Sequence, residues 1–109
     1  MPMELSGFEL EIIKAIGKHQ PAILDVIGEL KVKKREFTGP GLYVDFMRVK
    51  GTVNHHVQIL DLFGEIKLPS GLVLSAHIGM SGGKPEFLEV CTLPLTNWDG
   101  SYEGFVIKN

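Results

Sequence analysis

Near Leu30 the apolar residues stop recurring at every third or fourth position and begin to alternate. That change of period constrains the fold more than any other feature of the chain. Before it, Leu5, Phe8, Ile12 and Ile16 fall at intervals that line one face of a helix. Ser6 precedes them as an N-cap, and Glu9 three residues on completes a capping box, in which each side chain satisfies the other residue's free N–H. Glu9, Glu11, Lys14 and Lys18 are then expected to face water. Gly17 closes this helix. Pro21 suits the first turn of a second, where its missing N–H costs nothing, and Ala22, Ile23, Val26, Ile27 and Leu30 supply an apolar face. The start therefore reads as a helical hairpin joined near His19 and Gln20.

After Lys31 the pattern predicts five or six strands, at residues 32–38, 42–49, 55–63 (extended by 65–68 past Gly64), 71–79, 86–93 and 102–107. Helices first and strands afterwards imply an α+β fold: an N-terminal helical hairpin packed on one face of an antiparallel sheet of five or six strands. The 109 residues are expected to form one domain, residues 1–109.

Composition narrows the function classes. Hydrophobic residues make up 44% and charged residues 22%, a globular balance. A formal net charge of −2 gives no electrostatic footprint for nucleic acid or anionic lipid, and the run Lys31, Lys33, Lys34, Arg35 reads as a strand edge protected against pairing. Cys91 is the only cysteine, so no intrachain disulfide is expected. No secretory signal and no apolar stretch of membrane-spanning length are visible, which makes the cytoplasm the expected compartment.

The loop Gly39-Pro40-Gly41 invites a phosphate-binding reading, but Pro40 removes a central donor and a strand, not a helix, follows. It is expected to be a hairpin turn. A three-residue connection sets Arg35 opposite Asp45 and Glu36 opposite Val44; a two-residue one sets Lys34 opposite Asp45 and Glu36 opposite Tyr43. In the later hairpin, matching the apolar faces across a three-residue loop at 82–84 sets Ile78 opposite Leu88 and Ala76 opposite Val90. The other face then carries His77 opposite Glu89 and Ser75 opposite Cys91.

This last group is where chemistry is sought. A carboxylate beside an imidazole raises its pKa and fixes its tautomer, and a neighbouring thiol can become a nucleophile. His77, Glu89 and Cys91 are therefore the catalytic candidates, although no oxyanion hole or pocket is legible and a cross-strand pair on a wet face is the simpler account. No metal is expected: His55 and His56 are adjacent on a strand and point to opposite faces, so a site would need one of them to join His77. No cofactor is expected. Asp61, between Leu60 and Leu62, is assigned to the wet face. Tyr43 and Met47, with Val49, lie opposite the Leu42, Val44 and Phe46 face of their strand, which leaves both faces partly apolar. Trp98, before an Asp99-Gly100 turn signal, is read as a cover for the core or else an exposed anchor. Tyr43, Asp45, Met47 and Trp98 are the candidates for ligand or partner binding.

Arg35-Glu36-Phe37-Thr38-Gly39, then Gly41 and a strand ending at Phe46, resembles a signature of small bacterial proteins of uncharacterised function. In that family a short helical N-terminus precedes an R-E-aromatic-T-G-x-G hairpin, and a later Leu-Glu strand, here Leu88-Glu89, precedes a tryptophan, here Trp98. Val90 stands where the pattern has glycine. The resemblance implies a bacterial, cytoplasmic α+β protein and no particular chemistry.

Two functions are carried forward. One is a non-catalytic protein-interaction module with an unknown protein partner or a second copy as a homodimer, binding neither nucleic acid nor membrane. The other is a small-ligand-binding protein or enzyme with a pocket between sheet and helices that uses His77 and Glu89.

Overall fold

The computed structural model describes residues 3–47 and 57–109. His55, His56 and Val49 lie outside them. The elements among the described residues are α1 (Gly7–Gly17), α2 (Ala22–Val26) with a short 3-10 turn (Ile27–Glu29), and seven strands: β1 (Val32–Phe37), β2 (Gly41–Phe46), β3 (Val57–Asp61), β4 (Glu65–Lys67), β5 (Val73–Ser81), β6 (Lys84–Thr92) and β7 (Val106–Lys108). The pairings among these strands are all antiparallel, in the order β1-β2-β6-β5-β4-β7, with β3 also on β5. The α+β architecture follows the change of period, with helices at the N-terminus packed against a sheet.

The α1 capping box is complete: Ser6 N–H donates to Glu9 Oε1 at 2.8 Å and Glu9 N–H donates to Ser6 Oγ at 3.1 Å. Phe8, Ile12, Ile13 and Ile16 are fully buried in one core cluster with Val44, Ile78, Leu88 and Val90. Each such side chain contributes roughly 1.5–3 kcal/mol relative to exposure. The second helix is shorter than the pattern suggests. Only Ile23 of its residues is buried, while Leu24 stays exposed and rests on the backbone of Gly17.

The connection between β1 and β2 takes the two-residue form. Lys34 lies opposite Asp45 and Glu36 opposite Tyr43, and Thr38 N–H donates to Gly41 O across Gly39-Pro40. Gly39 sits at φ 92°, the conformation that the first central position of such a turn demands and glycine supplies without strain. A bulge between Val32 and Lys34 reverses the parity of the strand. Beyond it Arg35 lies opposite Val44 and Phe37 opposite Leu42, so both share the helix-bearing side with Val32.

The β5–β6 hairpin has the expected register, with Ile78 on Leu88, Ala76 on Val90, His77 on Glu89 and Ser75 on Cys91. Its loop is one residue shorter than expected: Ser81 pairs with Lys84 across Gly82-Gly83. A bulge on the β6 side, past Gly79↔Phe87, restores the count. β3 and β4 together follow the other edge of β5, separated by a bend at Gly64 whose φ is 145°. The final strand is shorter than residues 102–107 suggest and begins only at Val106. Among the described residues no helix is long and apolar enough to cross a membrane.

Candidate functional site

Alternation along β2, β6 and β5 sends Leu42, Val44, Val90, Leu88, Ala76 and Ile78 into the core and Tyr43, Asp45, Phe87, Glu89, Cys91, Ser75 and His77 to the opposite face. The strand registers align these outward residues in rows. Glu36, Tyr43, Glu89, His77 and Asp61 form one row across five strands. The next holds Lys34, Asp45, Phe87, Gly79 and Ile59.

The centre of this face is aromatic. A Cβ built on Gly79 would lie 2.1 Å from the Phe87 ring, so the ring lies directly over the glycine backbone, as glycine inside a strand permits. Tyr43 stacks on Phe87, with centroids 5.1 Å apart and planes at 19°, and His77 meets Phe87 edge-on at 6.1 Å. Ile59, in the Phe87 row, is 48% exposed. Burial raises the pKa of the Tyr43 hydroxyl, and the nearby carboxylates of Asp45, Glu89 and Glu86 push it the same way, because both effects disfavour a phenolate.

His77 Nε2 lies 3.0 Å from Glu89 Oε1, with side chains 26% and 39% exposed. The pair therefore forms as the register predicts, but on the face turned away from the helices. It does not line a space between sheet and helices, and that part of the ligand-pocket expectation is corrected. Cys91 Sγ lies 3.5 Å from Ser75 Oγ and, among the described residues, makes no hydrogen bond with His77. Nucleophile and base are thus not engaged with one another, and the geometry falls short of an activated thiol. Asp61 is exposed, as assigned, and lies opposite His77 in register. Among the described residues no group of three or more His, Cys, Asp or Glu side chains converges as a metal site.

Trp98 is 6% exposed. Its Nε1–H donates to Ser101 O at 2.8 Å, and its ring meets Phe8 and Phe37, so it covers the core rather than standing out as an anchor. Asp99 accepts from the Ser101 N–H and hydroxyl, bonds that hold its carboxyl below the usual range. Met47 is exposed and borders the hollow beside Tyr43, together with Asp45.

Two features depart from the sequence reading or go beyond it. Phe87 and Glu86 belong to the outer face beside Tyr43; the available signal was the interior glycine, Gly79, opposite an aromatic residue in the register that fixes His77 on Glu89. The other is Glu9, expected in water but 1% exposed. Besides capping α1 it receives Arg35 Nε at 2.5 Å and Arg35 Nη2 at 2.8 Å. The hydrogen bond and the charge of Glu9 hold the guanidinium above its ordinary pKa, against some loss from burial.

Comparison of the chain with protein-family models, with curated proteins and with solved structures finds no match in any of the three.

Proposed function

We propose that the chain is a non-catalytic protein-interaction module that engages its partner through the outer face of the sheet. The observation that carries this reading is the Tyr43–Phe87 stack, half-buried on the face opposite the helices and continued by Ile59. Aromatic side chains on a rigid sheet supply contact area at small entropic cost, and they are enriched where proteins bind one another. The rows of Asp45, Glu89 and Asp61 around them supply orientation more than affinity.

The test uses immobilised wild-type protein and a Tyr43→Ser/Phe87→Ser variant, each incubated with lysate of the source organism, together with the solution mass of both proteins. A species retained by the wild type and lost by a folded variant supports the reading, as does a dimer that the variant converts to monomer. Identical captured species and identical monomeric masses overturn it. Far-UV circular dichroism melting confirms that the variant is folded.

A further inference from the structure

Beside the aromatic pair the outer face dips into a hollow of about 380 Å³. Tyr43, Phe87 and Met47 supply much of its apolar wall, and Asp45, Glu86 and Lys33 its charged groups. Among the described residues two carboxylates thus face one ammonium, and Glu89 stands one row away beside Tyr43. Lys34 lies opposite Asp45 in register. Among the described residues, however, no lysine or arginine nitrogen comes within 4.0 Å of Asp45 or Glu86. The two carboxylates are therefore not engaged by those neighbours, and the phenol of Tyr43 experiences the negative field of Asp45, Glu89 and Glu86.

An aromatic wall attracts cations through the negative potential of its ring faces. A carboxylate provides the complementary acceptor for an ammonium or guanidinium head. A long basic side chain carries both parts in one unit, an apolar stem and a charged head. We propose that this hollow seats an arginine or lysine side chain of the protein partner, its stem against Tyr43, Phe87 and Met47 and its head toward Asp45 and Glu86. The proposal rests on the interaction reading above and names the partner's chemistry. The same carboxylates repel nucleic acid and anionic lipid.

The test titrates the ¹⁵N-labelled full chain with the blocked tripeptide acetyl-Gly-Arg-Gly-amide and with its citrulline counterpart, which keeps the shape and loses the charge. The arginine peptide is expected to shift the amide resonances of Tyr43, Asp45, Glu86 and Phe87. The citrulline peptide should bind roughly tenfold more weakly, the scale of one desolvated cation–ring contact. An Asp45→Asn/Glu86→Gln variant of unchanged melting temperature should lose a similar factor. Equal shifts from both peptides, shifts confined to another face, or no shift at all overturn the cation site. Lysate capture separates the two readings. A partner lost by Tyr43→Ser/Phe87→Ser but kept at full strength by Asp45→Asn/Glu86→Gln sinks the cation site alone; a partner kept by both variants sinks the interaction reading as well.

Discussion

Replacing Arg35 by methionine is expected to destabilise the protein more than replacing Glu9 by glutamine, although the two side chains form one ion pair. The asymmetry follows from burial. The Glu9 side chain is 2% exposed and that of Arg35 26%. Arg35→Met removes both guanidinium contacts and leaves a carboxylate inside the protein with, among the described residues, the Ser6 N–H as its remaining charge-stabilising donor. Breaking a buried pair in this way costs about 3–5 kcal/mol. The partial exposure of the arginine argues for the lower end, about 3 kcal/mol. Glu9→Gln keeps one carbonyl oxygen to accept from Ser6 or Arg35, and the guanidinium left behind can turn to water, so about 1–2 kcal/mol is expected. Urea unfolding at neutral pH, followed by circular dichroism, measures both. At roughly 4 °C per kcal/mol for a domain of this size, Arg35→Met should also melt about 12 °C lower. The reasoning fails if Arg35→Met costs under about 1 kcal/mol, or if Glu9→Gln is the more damaging change.

Gly64→Ala should destabilise by more than about 2 kcal/mol in the same assay, because φ is 145° there and a Cβ would lie 1.9 Å from Lys108 O; backbone cannot yield as a side-chain tip can. His77→Ala and Glu89→Gln should each cost under about 1 kcal/mol, since their contact is partly solvated and such pairs contribute little; a loss above 2 kcal/mol refutes this. Tyr43 should titrate above the ordinary tyrosine value of about 10, seen at 295 nm as the difference between wild type and Tyr43→Phe. Its pKa is raised on folding, so the unfolded chain loses this proton first. The stability from its neutral form is fully present below pH of about 10 and falls as pH rises from there through the folded-state value; a wild type that gains stability over Tyr43→Phe with rising alkalinity contradicts the assignment.

Much of the fold was legible because its signals are local. The capping box, the alternation of β5 and β6 and the glycine turns each follow from neighbouring residues, and the register that puts His77 on Glu89 needed only the matching of apolar faces. Errors arose where one inserted residue changes parity. The bulge before Lys34 sends Arg35 to the helix side, so a run that reads as a basic rim delivers its arginine to a carboxylate 26 residues away. Glu9 was hidden for a related reason: its capping role already accounts for a glutamate at that position. The aromatic platform was missed because neither Phe87 nor Gly79 is informative alone, and only their opposition across two strands makes the glycine a seat for the ring.

The placement of β5 governs how the molecule opens. It is paired with β6 along nearly its whole length on one side, and with β3 and then β4 on the other. Its peptide groups therefore cannot reach solvent deuterium by fraying at a margin, and those between Leu74 and Ile78 should exchange only when the whole molecule unfolds. β7, three residues long and joined among the described strands to β4 alone, should exchange orders of magnitude sooner.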